Sequence, residues 1–225
     1  WLEDKLVPYL ASGYCVREEG VKLLRQRFPA QAEHIHFVPT WVDTEVFFPD
    51  EDAEHCTQER LALRQRCGLD SKARLIVTVG RIDTQKNPHL LLDAFTLLEK
   101  KRNDVALGYI GDGVMRQALE ARVRELGLGG KVYFFGLRAP SEIAGILRAA
   151  DIFALSSAYE GMPMALLEGL GSGLPVVTTD VGEVRKVVSD KSGTIVQEHA
   201  PEPFCIALDS VLNRLHEVSG KPCVD

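Results

Sequence analysis

Between about residues 57 and 200 the chain repeats one unit: a short, near-continuous apolar run followed by a helix-spaced stretch. The apolar runs fall at 73–80, 105–110, 132–136, 152–155, 175–179 and 194–196. A strand with one wet face alternates apolar and polar residues, whereas a strand covered on both faces does not. The intervening stretches predict helices. Residues 88–102 place Leu91, Ala94, Phe95 and Leu98 on one face, and 114–126 stops at Gly127. Residues 141–150 start with Ser141 as N-cap and Glu142 in the first turn, 163–170 opens on Pro163, and 184–188 is a short helix. Strands alternating with helices, joined by right-handed crossovers, give an α/β fold. The expectation is a Rossmann-like doubly wound parallel sheet of about six strands with helices on both faces. Its ligand belongs outside the carboxyl ends of the strands. A final helix is expected over 203–217, with Phe204, Leu208, Val211, Leu212 and Leu215 apolar.

Composition narrows the function. Of 225 residues, 26 are basic and 32 acidic, for a net charge of −6. A phosphate-backbone binder needs the opposite balance, so no nucleic-acid partner is expected. Five cysteines stand at 15, 56, 67, 205 and 223 without a CxxC pair. That pattern argues against a disulfide framework or a structural zinc and fits a reducing, cytoplasmic setting. No apolar run approaches the ~18 residues of a membrane span. The first residue is Trp1 rather than Met, so the chain is expected to be a piece of a longer protein.

Residues 1–48 follow another rhythm. Leu6-Val7-Pro8-Tyr9-Leu10-Ala11-Ser12 predicts a strand, 16–28 a helix, and 35–39 a second strand. Prolines and lost periodicity make 40–49 a connector, and the acidic run 50–54 reads as an exposed loop.

The polar residues of interest lie just after the apolar runs. The first run leads into Gly80-Arg81-Ile82-Asp83-Thr84-Gln85-Lys86-Asn87 and the second into Gly111-Asp112-Gly113. The third leads into Gly136-Leu137-Arg138 and the fourth into Ser156-Ser157-Ala158-Tyr159-Glu160-Gly161-Met162. Glycine lets backbone approach a ligand, and amides at a helix start attract anions. Arg81 and Lys86 would add a planar donor fork and a mobile ammonium, the pair that a diphosphate needs. Both would be ordinary exposed residues elsewhere; the ligand edge of the sheet weighs the other way. No GxGxxG follows the first strand and no GxxxxGK[ST] occurs, which disfavours nicotinamide dehydrogenases and P-loop nucleotidases.

Glu160 and Glu168 flank Gly161-Met162-Pro163-Met164-Ala165-Leu166-Leu167. With a helix starting near Pro163, Glu168 lies ~7 Å along its axis from the start. Two carboxylates so spaced would accept hydrogen bonds from two neighbouring hydroxylated groups, such as a sugar and a ribose. The plainer readings are a dipole-favoured Glu160 and an exposed Glu168. The apolar neighbours of Glu168 argue against simple solvation.

The ordered set Gly80-Arg81…Lys86, Gly111-Asp112-Gly113, Phe135-Gly136, Ala150-Asp151-Ile152-Phe153 and Glu160 through Leu170, then Gly173-Leu174-Pro175-Val176-Val177, resembles a known family. It is similar to the C-terminal, donor-binding domain of GT-B-fold retaining glycosyltransferases, family GT4, over nearly all of 70–200. Val38-Pro39-Thr40-Trp41-Val42-Asp43…Phe48-Pro49 resembles the interdomain linker, with Thr40-Trp41 where Asn-Gly is usual.

The resemblance implies a division of the chain. Residues 1–48 would be the end of the N-terminal domain and the linker, 49–200 the nucleotide-sugar domain, and 201–225 a C-terminal helix and tail. It also implies roles. Arg81 and Lys86 would hold the diphosphate and stabilise the departing nucleotide, and Glu160 would contact the sugar, so these three carry the catalytic assignment. Glu168 would bind the ribose, and backbone from Gly161 through Met162 to Met164 would meet sugar and phosphate. Gly80, Gly111 and Gly113 would let the donor approach, and Arg138 would line the base. The implied reaction transfers sugar to an acceptor hydroxyl with retention, needing no metal and no cofactor beyond the nucleotide-sugar donor. The acceptor site belongs to the absent N-terminal half, through which peripheral membrane association would also arise. Two alternatives share the fold: a nucleotide-sugar epimerase and a non-catalytic nucleotide-binding module. Asp50-Glu51-Asp52 spells DxD, the metal motif of the other glycosyltransferase fold, but lacks its strand context and reads as solvated loop. His34 and His36 lack a third ligand, and Cys67 and Cys205 read as packing residues.

Overall fold

The computed structural model describes residues 5–49 and 53–215. The chain divides into two compact units, Trp1–Trp41 and Val42–Asp225.

In the first unit β1 (Gly13–Cys15) and β2 (Ile35–Phe37) pair in parallel, joined by α1 (Glu18–Arg27) and a 3-10 segment, Pro29–His34. Glu18 and Glu19 occupy the first turn of α1 and Arg25 and Arg27 its last, each sign matching the helix dipole. The expected strand over 6–12 is absent. Val7–Tyr9 is a 3-10 turn closed by the Leu10 N–H on the Val7 carbonyl at 3.1 Å. Pro8, with fixed φ and no N–H, favours such a turn over a ladder, so the strand begins only at Gly13.

The second unit holds α2 (Ala53–Arg66), β3 (Arg74–Val79), α3 (Pro88–Glu99), β4 (Val105–Ile110), α4 (Arg116–Glu125) and β5 (Val132–Gly136). It continues with α5 (Pro140–Ala149), β6 (Ile152–Leu155), α6 (Met164–Gly171), β7 (Val176–Thr179), a 3-10 turn at Val184–Lys186, β8 (Gly193–Val196) and α7 (Pro201–Asn213). The six strands form one sheet in the order β5-β4-β3-β6-β7-β8, with every pairing parallel. All residues of β4, β6 and β7 are buried, the signature of a sheet covered on both faces. Ile76, Leu107 and Ile152 pack on one side with Leu91 and Phe95 of α3, Leu119 of α4 and Phe204 and Leu208 of α7. Leu75, Val77 and Phe153 pack on the other with Leu63 of α2, Leu147 of α5 and Leu166 of α6. The last helix is thus part of the core, with Phe204, Leu208 and Val211 fully buried.

Several local expectations need correction. Ala53 and Glu54 are helical rather than loop, because α2 starts at Ala53. Ser141 is not the N-cap of α5: Pro140 opens the helix, and the Ala139 N–H donates to Glu142 Oε2 at 3.0 Å. Pro163 precedes α6 as its cap rather than opening it. The DxD triplet and residues 216–217 of the expected last helix lie outside the described residues. None of the described helices is long and apolar enough to cross a membrane.

The carboxyl end of β6 carries the site; its amino end carries a buried charge cluster. Asp151 accepts from Arg64 at 2.5 Å, Arg60 at 2.7 Å, Arg74 at 3.0 Å and the Leu75 N–H at 2.8 Å. Arg64, itself 1% exposed, also donates to the Ala73 and Ala149 carbonyls.

Candidate functional site

The sheet order fixes where a ligand crevice forms. From β3 the chain steps outward to β4 and β5, then returns to lay β6 on the other side of β3. Crossovers leave β3 and β6 in opposite directions, which makes their carboxyl ends the topological switch point, where a ligand crevice is expected. The loops facing it are 80–87 and 156–163.

Backbone contacts hold the two loops together. The Ala158 N–H donates to the Gln85 carbonyl at 2.7 Å. Ser156 Oγ lies 3.0 Å from the carbonyls of both Lys86 and Asn87. Asn87 sits at φ 45°, a left-handed conformation in which the loop turns into α3. Gly111 meets the same loop from β4: at φ 134°, any Cβ there would collide with the Gly80 carbonyl oxygen. Gly111→Ala is therefore expected to lower the melting temperature and to distort the loop bearing Arg81 and Lys86. A thermal melt together with a binding titration checks both effects.

Within this frame Lys86 Nζ lies 2.6 Å from Glu160 Oε1, joining residues 74 apart in sequence. Ser157 Oγ donates to the same oxygen at 2.8 Å. The Glu160 side chain is 8% exposed and that of Lys86 22%. Gln85 extends the network: its amide nitrogen lies 3.3 Å from the Tyr159 carbonyl, and its oxygen accepts from Arg81 at 3.1 Å. Arg81 also pairs with Asp83 at 3.3 Å while its side chain stays 72% exposed.

After Glu160 the chain passes Gly161, whose carbonyl accepts from the Glu183 N–H at 2.9 Å, and then Met162, to enter α6 at Met164. No side-chain hydrogen bond caps α6; the Leu166 N–H donates to the Pro163 carbonyl at 3.1 Å, which leaves the Met164 and Ala165 N–H groups at the helix start. Glu168 lies in the second turn of α6, half-buried. Burial pushes its carboxyl above the ordinary glutamate range, and the Lys86 charge pulls part of the way back. Among the described residues no donor is hydrogen-bonded to its carboxylate.

The structure places Gly80, Arg81 and Lys86 in the loop after β3 with Gly111 against it, and Glu160, Gly161 and Met162 in the loop after β6 that leads to Met164 and Glu168 of α6; the two loops meet at Lys86 and Glu160. Gly113 lies in the adjoining loop, its N–H on Asp112 Oδ1 at 2.7 Å. Arg138 points elsewhere: it approaches Glu142 at 3.9 Å and lines a separate cleft between α2 and α5 with Glu59 and Arg66. Sequence reasoning missed Gln85, Ser157 and Thr179, whose hydroxyl donates to the Ser157 carbonyl at 2.7 Å. A serine just past a buried apolar run was the available signal. His34 and His36 form no metal cluster, and no group of three or more metal-ligating side chains occurs among the described residues.

The profile of the family described as glycosyl transferases group 1 matches residues 59–217. The chain is 32% identical over 198 residues to the mannosylfructose-phosphate synthase of Agrobacterium fabrum, covering 84% of this chain and 42% of that protein. It is 33% identical over 202 residues to the D-inositol 3-phosphate glycosyltransferase of Corynebacterium kroppenstedtii, covering 86% of this chain and 44% of that protein. The chain thus spans less than half the length of either relative. Among solved structures, HepE of Anabaena in complex with UDP-glucose superposes with a TM-score of 0.79 at 20% identity, over 95% of this chain and 57% of that one. The C-terminal domain of the group 1 glycosyl transferase LpcC of Francisella tularensis superposes with a TM-score of 0.65 at 26% identity, over 79% of this chain and 92% of that one.

Proposed function

This chain belongs to the glycosyl transferases group 1 family, and on that premise we propose that it is the donor-binding part of an enzyme that transfers sugar from a nucleoside-diphosphate sugar. The observation that carries the reading is the 2.6 Å contact of Lys86 with Glu160 at the topological switch point, beside the uncapped start of α6. A diphosphate needs cations and amides, and a sugar needs a fixed acceptor; both lie within one crevice. UDP-glucose in the HepE structure supports a donor of this class.

In this reading Arg81, Lys86 and the first amides of α6 meet the diphosphate. Glu160 accepts from a sugar hydroxyl and Glu168 from the ribose. The anomeric carbon exchanges its bond to the diphosphate for one to the acceptor hydroxyl, with retention, and the negative charge left on the diphosphate is the chemical demand. Preorganised positive groups in a partly dry crevice meet that demand without a metal. The acceptor and the remaining catalytic contacts belong to sequence outside this chain. The 225-residue chain is accordingly expected to bind nucleoside diphosphates and to transfer no sugar. A thermal-shift screen of UDP, GDP and ADP with their sugars tests the reading, because a ligand that binds only the folded state raises the melting point. No shift with any of them would sink it. Robust turnover by the chain alone would remove the assignment of the acceptor site to sequence elsewhere.

Glu168 gives a second test through pH. Its folded pKa lies above the unfolded one, so its stabilising contribution is complete below the unfolded value and lost as pH rises through the folded value. Glu168→Gln is therefore expected to melt no lower than wild type at neutral pH. The carboxylate is nonetheless the better ribose acceptor, so nucleotide affinity should fall in that variant. Wild-type affinity should also weaken as pH drops through the raised carboxyl pKa, a slope that Glu168→Gln removes. Titrations across the acidic range check it; an unchanged slope would take Glu168 out of the ribose contact.

A further inference from the structure

We infer that Ser157 is a positioning residue that fixes which carboxylate oxygen of Glu160 faces the sugar. The inference rests on the reading of the crevice as a nucleotide-sugar site and adds a residue to it. Ser157 is fully buried, whereas the residues after it rise to the surface. A buried hydroxyl needs a hydrogen-bond partner, and this one donates to Glu160 Oε1 at 2.8 Å. Lys86 occupies the same oxygen at 2.6 Å. Oε1 thus receives two donors, one of them charged. Among the described residues, the one donor near Oε2 is Gln85 Nε2, at the limiting distance of 3.5 Å. A carboxylate with one oxygen tied presents the other in a fixed direction, and Oε2 is the free acceptor.

The serine is itself anchored. It lies two residues past the end of β6, and its carbonyl accepts from Thr179 Oγ1 on β7 at 2.7 Å. Neighbouring Ser156 turns the other way, to the Lys86 and Asn87 carbonyls. The two serines divide the work: Ser156 holds the loop of Lys86, and Ser157 holds the carboxylate that Lys86 meets. Once a diphosphate competes for the Lys86 ammonium, the Ser157 hydrogen bond is the uncharged contact left to keep Glu160 in place. That predicts a role felt with the sugar-bearing ligand and little with the bare diphosphate.

The test is calorimetric titration of the wild-type chain, Ser157→Ala, Glu160→Gln and the double variant with UDP, GDP and ADP, and with UDP-glucose, GDP-mannose and ADP-glucose. Ser157→Ala is expected to lose roughly fivefold to tenfold in affinity for the nucleotide sugar that wild type binds, the worth of one ordinary hydrogen bond. Affinity for the matching diphosphate should change less than about twofold, because the Ser157 hydroxyl acts on the carboxylate that meets the sugar. In the Glu160→Gln background the same change should have little further effect, because Ser157 acts through Glu160; a merely structural serine would weaken both backgrounds alike. If Ser157→Ala does not fold, Ser157→Cys keeps the volume with a weaker donor and must show the same selective loss. Equal affinities in wild type and the serine variants overturn the role of Ser157 and leave the site reading standing. A wild-type chain that binds no nucleotide or nucleotide sugar of the panel overturns both.

Discussion

Asp151→Ala is expected to cost the fold about 3–5 kcal/mol, the usual consequence of removing one partner of a buried ion pair. The size follows from what stays behind. Arg64 is 1% exposed and reaches Asp151 at 2.5 Å, with further donors on the Arg60, Ala73 and Ala149 carbonyls. Burial already pushes the Arg64 guanidinium below its ordinary range, and Asp151 is the charge that opposes this. Without Asp151, a buried cation is left beside Arg60 and Arg74, and the Leu75 N–H loses its acceptor. At ~2–4 °C per kcal/mol for a chain of this size, melting should fall by on the order of 10 °C. Arg74→Ala is the contrast: its side chain is 41% exposed, and such pairs are worth ~1 kcal/mol or less. Urea titrations of the two variants decide the matter. Equal small losses would mean that Arg64 relaxes to water, and that the cluster is not what joins α2, β3 and β6. The cluster lies at the amino end of β6, away from the crevice, so ligand affinity measured well below the melting point should hardly move.

That cluster marks where the sequence stops being readable. The sheet was legible because six apolar runs without alternation, each followed by helical spacing, leave few topologies besides a doubly wound one. The crevice was legible for the same reason: once β3 and β6 are the inner strands, Arg81, Lys86 and Glu160 must emerge at one edge. The contact of Lys86 with Glu160 across 74 residues was not readable from periodicity, only from the topology that brings the loops together. Arg64 follows Leu61, Ala62 and Leu63, three consecutive apolar residues that point to different sides of a helix, so no stripe announces its buried face. The contact of Ser157 with Glu160 is not legible, because serine after a strand ordinarily signals a turn and a buried serine looks the same in one dimension. Pro8 in an otherwise apolar run was the overlooked sign that 6–12 turns instead of extending. Arg138 stands at the same edge of the sheet, with its side chain 3.9 Å from Glu142 of α5, a direction that sequence position alone does not give.

Lys86→Ala is expected to weaken binding of a nucleoside diphosphate by roughly 10–100-fold, the equivalent of ~1.5–3 kcal/mol for a hydrogen bond to a charged group. Binding of the bare nucleoside should fall less, because in the proposed reading the ammonium meets the diphosphate and reaches the ribose only through its charge on Glu168. Lys86 merits the larger estimate over Arg81 on exposure: its side chain is 22% exposed, against 72% for Arg81. The Arg81 contribution is accordingly screened, and Arg81→Ala should show a smaller loss that shrinks further with salt. Lys86 also has a partner before any ligand arrives. Losing it leaves Glu160, 8% exposed, with Ser157 and a distant Gln85 as its donors, so the variant should also melt somewhat lower than wild type. Glu160→Gln in the Lys86→Ala background relieves that stranded carboxylate. The double variant should recover the melting temperature without recovering diphosphate affinity. That divergence separates a lysine that holds phosphate from one that merely neutralises a buried glutamate. Calorimetry with nucleoside, diphosphate and nucleotide sugar on the four proteins reads it directly. If affinity and stability return together in the double variant, Lys86 serves Glu160 and the diphosphate is held elsewhere.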